Sequence, residues 1–239
     1  GDTLIRISVG IEDVEDLLAD FERVFNLVKP GQNKNVGRVG KAAGNANGDV
    51  KQQAAHPALW WLSMVKSVHK FGGSSLSSGE RYQSVAKIII GHTQPGDCVV
   101  VSAAGKTTDT LVSLWQSYQQ QDKQAVADIL LQLSNHQTAL IEELLKADAK
   151  HTALAVLAQE LSDVAEQASK QQLQEAALLA HGELWSARLL AAYLTQLNIQ
   201  ACAHDARALF SVTSGELLHA QNKQQCSQVI DANKINVVT

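Results

Sequence analysis

Cys98-Val99-Val100-Val101 restricts this 239-residue chain more than any other stretch. Four apolar residues run in succession, bounded by the turn Pro95-Gly96-Asp97 and by the polar segment Ser102 to Asp109. A run with no polar alternation reads as a strand covered on both faces, which belongs to a parallel sheet flanked by helices. The neighbouring sequence repeats the theme. Val65 to Lys70 reads as a short strand, Gly72-Gly73-Ser74-Ser75 as a turn, and Ser77 or Ser78 as the cap of a helix through Val85, Ile88 and Ile89. Residues 122 to 197 carry an almost wholly helical pattern, rich in Ala and Leu with Gln and Glu on the other faces. Ile199 to His204 and Asn236 to Thr239 read as further strands. The expectation is an α/β fold: a mainly parallel sheet, helices on both faces and a large helical insertion.

Upstream of residue 65 the character changes. Residues 1 to 26 pair a β-prone run, Leu4 to Val9, with an acidic amphipathic helix whose apolar positions include Val14, Leu17, Leu18 and Phe21. Residues 27 to 64 are mostly rich in Gly, Asn, Lys and Gln without apolar period, and read as a linker or disordered stretch. Trp60 and Trp61 stand out there. The chain opens Gly1-Asp2-Thr3 and its one Met is Met64, so residue 1 reads as a cut end. Ile235 to Thr239 likewise reads as a strand interrupted midway.

Net charge is −4 with no clustered Lys or Arg, which argues against nucleic acid or an anionic membrane as partner. No apolar stretch approaches the roughly 20 residues of a membrane-spanning helix. The three cysteines, Cys98, Cys202 and Cys226, lie far apart without metal-ligand spacing, which fits a reduced, cytoplasmic setting and no bound metal of their own.

Three clusters carry chemistry. In Lys70-Phe71-Gly72-Gly73-Ser74-Ser75 a lysine ends a strand, two glycines allow close backbone approach, and a helix start aims amides back at the turn. Such a turn favours phosphate, and an adjacent ammonium stabilises charge on a transferring phosphoryl group. A surface turn with an incidental lysine is the other reading. In Ser102-Ala103-Ala104-Gly105-Lys106-Thr107-Thr108-Asp109, Gly105-Lys106-Thr107 imitates a Walker phosphate loop. That motif needs a glycine five residues before Gly105, where Val100 stands. Its hydroxyls suit a small polar substrate; the alternative is a helix capped by Thr107 or Thr108. The third cluster, His181-Gly182-Glu183-Leu184-Trp185-Ser186, sets a glycine in a helical pattern at a cost of about 1 kcal/mol relative to Ala. That points to close packing or a close ligand, with the Glu183 carboxylate able to receive an ammonium group.

In this order, the clusters resemble the aspartate kinases of the amino acid kinase family. Lys70 to Ser75 match the family's Lys-Phe-Gly-Gly-(Ser/Thr)-Ser. Val100 to Ala103, followed by Thr108, match its Val-Val-x-Ser-Ala strand end and Thr-Asn, with Asp109 in place of Asn. His181, Gly182, Glu183 and Ser186 match His-Gly-Glu-x-x-Ser, and Asp205-Ala206-Arg207 fits the Asp-x-Arg after the next strand. The details look most like the bifunctional aspartokinase–homoserine dehydrogenases of the methionine branch. The resemblance implies an amino acid kinase fold, truncated, in residues 65 to 239. It implies transfer of the ATP γ-phosphate to the aspartate side chain, giving aspartyl 4-phosphate with Mg²⁺ bridging the phosphates. Lys70 would be catalytic; Lys70, Phe71, Gly72 and Gly73 would hold ATP; Ser102, Thr108 and Glu183 would hold aspartate, with Glu183 on its α-ammonium. It further implies a homo-oligomer when full length, and little kinase activity for a piece lacking the later nucleotide-binding strands.

Residues 4 to 20 are similar instead to the extreme carboxyl end of cystathionine γ-synthase and related pyridoxal-phosphate enzymes, Arg6 matching a substrate-carboxylate ligand. Joined to a kinase, this implies a fusion or neighbouring genes read in one frame, with Met64 a sensible start for the kinase alone. Two other functional readings stand beside the aspartate kinase: an acyl-phosphate or carbamate kinase of the same fold, which should lack His181-Gly182-Glu183, and a non-enzymatic interaction module built on residues 122 to 197.

Overall fold

The computed structural model describes residues 7–9, 67–210, 212–213, 216–217 and 219–239. The helix read in 1–26 and the linker read in 27–64 lie outside the described residues. In chain order the elements are β1 (Ile7–Val9), β2 (Val68–Phe71), a 3₁₀ turn (Gly73–Leu76), α1 (Gly79–His92), β3 (Cys98–Val101) and α2 (Thr107–Gln119). The helical insertion follows as α3 (Lys123–Leu144), α4 (Ala147–Ser169) and α5 (Glu175–Leu179), leading into α6 (His181–Gln196). The chain closes with β4 (Ala201–His204), α7 (Ala206–Leu209), β5 (Val212–Thr213), β6 (Glu216–Leu217), α8 (His219–Val229) and β7 (Ile235–Val238).

Five strands form one sheet in the order β1-β2-β3-β7-β4, every pair parallel, while β5 and β6 pair antiparallel as a separate ribbon. Strand β7, last in sequence, is thus inserted between β3 and β4. Register sorts the side chains onto two faces. Phe71, Val99, Val101, Ile235 and Val237 face the main core, shared with α1, α2, α3 and α6. Cys98 and Val238 face the other way, into a smaller cluster with Leu209, Cys226 and Val229 from α7 and α8. Helices therefore cover both faces, and β3 is largely withdrawn from water: Cys98, Val99 and Val101 are buried and Val100 is half-buried. That is why its sequence has no polar alternation.

Buried polar groups fasten the strand ends. The Asp97 carboxylate, 2% exposed, accepts hydrogen bonds from the Ser67 amide (2.9 Å) and the Gln94 amide (2.8 Å), tying the starts of β2 and β3 together. Asn236, fully buried in β7, donates from Nδ2 to the carbonyls of Asp231 (2.9 Å) and Lys234 (3.1 Å). Its Oδ1 accepts from the Asp231 amide at 2.8 Å and faces His204 Nε2 at 2.9 Å, so that ring nitrogen carries the hydrogen. Among the described residues, no helix is long and apolar enough to cross a membrane.

Candidate active site

Because the five strands of the main sheet are all parallel, their carboxyl ends share one edge, where ligands of open α/β sheets bind. Three segments converge there. The first is the turn after Lys70. Ser78 caps α1, its Oγ accepting from the Arg81 amide (3.4 Å), and Glu143 Oε2 from α3 accepts from the Gly79 amide (3.2 Å). The Gly79 and Arg81 amides at this helix start are therefore engaged within the protein, and a 3₁₀ turn, Gly73–Leu76, intervenes between β2 and α1. Lys70 is half-buried beside Val100 in the register. Phe71 is 1% exposed with its side chain in the core, so only its backbone belongs to this edge; its carbonyl accepts from the Ser102 amide at 3.1 Å.

The second segment is the loop after β3. The Gly105 amide donates to the Gly73 carbonyl at 2.9 Å, and Gly105 sits at φ +55°, in the left-handed region. A Cβ on Gly73 would lie 2.5 Å from the Ala103 carbonyl oxygen, so the two loops approach to a distance only glycine permits. Helix α2 begins at Thr107, with Lys106 as its cap residue and no side-chain cap. Neither Thr107 nor Thr108 caps it. Thr107, 1% exposed, turns its hydroxyl back to the Ala104 carbonyl at 2.6 Å, while Thr108 is exposed on the first turn and Ser102 is half-buried.

The third segment is the start of α6. Gly182 is its second residue; a Cβ there would meet Ala103 Cβ at 2.8 Å, Leu111 Cδ1 at 3.3 Å and Thr107 Cγ2 at 3.6 Å. Of the two meanings of a glycine at this position, close packing is the one realised, against the very loop that carries Ser102 and Thr108. Glu183 follows, half-buried in the first turn, where the helix dipole favours a carboxylate. His181 Nδ1 donates to the carbonyls of Ala177 (2.9 Å) and Leu178 (3.2 Å), fixing the α5–α6 corner. Ser186 is 1% exposed in the core beside Tyr82, whose hydroxyl is driven upward in pKa by burial, partly offset by Ser186.

The edge holds more charge than the motifs alone indicate. Arg81 Nη1 donates to the Ser74 carbonyl at 3.1 Å, setting a guanidinium on the turn, and Lys106 is exposed at the head of α2. The signal for Arg81 was its position one helical turn after the capping serine. Asp205, at the end of β4, caps α7 and pairs with Arg207 (Nη2 to Oδ2, 2.6 Å). Hydrogen bonds from the Arg207 side chain hold the Asp205 carboxyl below its usual range, against an opposing contribution from burial. Among the described residues, no group of three or more His, Cys, Asp or Glu side chains is arranged to hold a metal ion. The structure thus joins the backbone of the Gly72-Gly73 turn, the Ser102–Thr108 loop and the Gly182-Glu183 corner, with basic side chains at the first two.

Comparison with known proteins agrees with this architecture. The model of the amino acid kinase family matches residues 66–239. The bifunctional aspartokinase/homoserine dehydrogenase 2 of Escherichia coli (strain K12) is 36% identical over 144 residues, covering 59% of this chain and 18% of that protein. The aspartokinase of Geobacillus stearothermophilus is 38% identical over 98 residues, covering 40% of this chain and 20% of that protein. The chain therefore spans about a fifth of the length of these relatives. The crystal structure of E. coli aspartokinase III in complex with aspartate and ADP superposes with a TM-score of 0.59 at 20% identity, covering 72% of this chain and 40% of that one. The chain belongs to the amino acid kinase family and has its fold.

Proposed function

We propose that this member of the amino acid kinase family serves ATP-dependent phosphorylation of aspartate. A side-chain carboxylate oxygen attacks the γ-phosphorus of ATP, the bond from that phosphorus to the ADP oxygen breaks, and aspartyl 4-phosphate forms. The observation that carries the reading is the three-way contact at the sheet edge: Gly73 against Ala103 and Gly105, and Gly182 against Ala103 and Thr107. It sets a cation-flanked glycine turn next to a loop of hydroxyls and a helix-start carboxylate.

Each residue has a role set by its chemistry. Lys70, with the Phe71-Gly72-Gly73 backbone, holds the nucleotide phosphates and stabilises charge on the transferring group. Glu183 takes the α-ammonium of aspartate, while Ser102 and Thr108 donate hydroxyl hydrogen bonds to its carboxylates. Arg81 and Lys106 add positive charge around the phosphates. Magnesium arriving with the nucleotide would supply charge neutralisation to the phosphates; among the described residues no group of three or more His, Cys, Asp or Glu side chains is arranged to hold it. Catalysis then rests on positioning and charge neutralisation, with no covalent enzyme intermediate.

In this reading residues 65–239 are the amino-terminal part of a kinase domain most like those of the methionine-branch bifunctional enzymes, working in the cytoplasm as a homo-oligomer when full length. Residues 27–64 are a linker, and 1–26 are the carboxyl-terminal remnant of a pyridoxal-phosphate enzyme whose strand Ile7–Val9 has joined the kinase sheet beside β2. Titration calorimetry with L-aspartate tests the site. The chain should bind saturably, and Glu183→Ala should weaken aspartate about tenfold or more, corresponding to about 1.4 kcal/mol, while weakening ADP far less. Absence of aspartate binding by the unmutated chain, or equal binding by the variant, overturns the assignment.

A further inference from the structure

From the geometry around Thr107 we infer that Gln137, in the helical insertion, is a positioning residue for the aspartate site; this rests on the proposed function above. Gln137 lies on α3 and is 2% exposed. Its Nε2 donates to Thr107 Oγ1 at 3.1 Å, and that hydroxyl donates in turn to the Ala104 carbonyl at 2.6 Å. Thr107 also donates its amide to the same carbonyl at 3.0 Å and lies against the position that a Gly182 Cβ would occupy. A chain of hydrogen bonds therefore runs from the insertion to the loop bearing Ser102 and Thr108, beside the corner bearing Glu183.

Two features make this more than an incidental core contact. Helix α2 starts without a side-chain cap, and the Thr107 amide and hydroxyl both close its first residue onto the Ala104 carbonyl. Gln137 also lines a cavity of about 350 Å³ between α3, α4 and α6, where Ala149, Ala153 and Ala192 leave the seam open. With a void on one side and an uncapped helix on the other, the Gln137 amide adds a directional contact to the apolar packing of α2 on α3. The insertion thus serves the site by bracing it.

The test uses Gln137→Met, which keeps length and removes the donor, and Gln137→Glu, whose carboxyl donates only when protonated. In the unliganded chain, amide hydrogen exchange at Thr107 and Thr110 should accelerate about tenfold in Gln137→Met, with exchange in β3 and β7 unchanged. Unaltered exchange at Thr107 and Thr110 overturns the bracing, whatever aspartate does. Aspartate affinity should fall about fivefold to tenfold, the fold-change of one buried hydrogen bond. For Gln137→Glu the deficit relative to the unmutated chain should shrink as pH is lowered and the buried carboxyl protonates, a rescue that a merely space-filling residue would not show. Aspartate binding unchanged in both variants overturns the positioning role. Failure of the unmutated chain to bind aspartate overturns the proposed function instead.

Discussion

Replacing Gly182 with alanine places a methyl carbon 2.8 Å from Ala103 Cβ and 3.3 Å from Leu111 Cδ1. The first contact is closer than real Cβ atoms come. Ala103 cannot swing aside, because its Cβ is attached directly to loop backbone and the residue is 3% exposed. Relief requires the β3–α2 loop and the start of α6 to separate. Overpacking of this kind costs about 1–3 kcal/mol. Exchanging glycine for alanine in a helix returns up to about 1 kcal/mol, less at the second helical position than in the interior. The net expectation is a loss of about 1–2 kcal/mol, which for a domain of this size lowers Tm by about 2–8 °C. Urea denaturation of Gly182→Ala, Ala103→Gly and the double variant measures it. Removing the Ala103 methyl should make room, so the two changes should couple by about 1 kcal/mol or more. A Gly182→Ala variant as stable as the unmutated chain, or additive losses in the double variant, would refute the packing argument and with it the contact that joins the site.

Two further outcomes follow from perturbed groups. Asp205 is depressed by its Arg207 partner, so its contribution is present above the unfolded carboxylate pKa and disappears as pH falls through the folded value. The stability advantage of the unmutated chain over Asp205→Asn should therefore shrink on acidification in denaturant titrations, and be modest throughout because Arg207 is exposed. Burial, then the neighbouring Asp97 charge, push the Cys98 thiol up to about 12. Iodoacetamide at neutral pH should leave Cys98 unlabelled by mass spectrometry until the chain is unfolded, and rapid labelling of the native chain would contradict its placement.

Much of this architecture can be read from local sequence because its signals are local. The apolar run of β3, the Pro95-Gly96-Asp97 turn and a serine cap at Ser77 or Ser78 each declare themselves within a few residues, and each is found in place, the cap at Ser78. The breaks inside the helical stretch are silent for the opposite reason. Gln121, Ala147, Gln171 and Asn198 take positive φ at or near helix ends without a glycine to announce it. The position of β7 between β3 and β4 is equally invisible to periodicity, since strand order is decided by crossovers rather than by any strand's own residues. At the site, the glycine turn and Glu183 stand out by residue type. Thr107 misleads, because a hydroxyl at a helix start looks like a cap, whereas burial turns it inward to Ala104 and Gln137. Gln137 carries no signal in its own segment, its partner being far along the chain.

The account depends on the glycine turn, the hydroxyl loop and the Gly182-Glu183 corner acting as one binding surface. Backbone amide spectra of isotopically labelled chain, recorded through a titration with L-aspartate, test that most directly. Saturable shifts should concentrate at Ser102, Thr108 and Glu183 and extend to Gly73 through its bond with Gly105. Shifts confined to other faces of the sheet, or none that saturate, would contradict it.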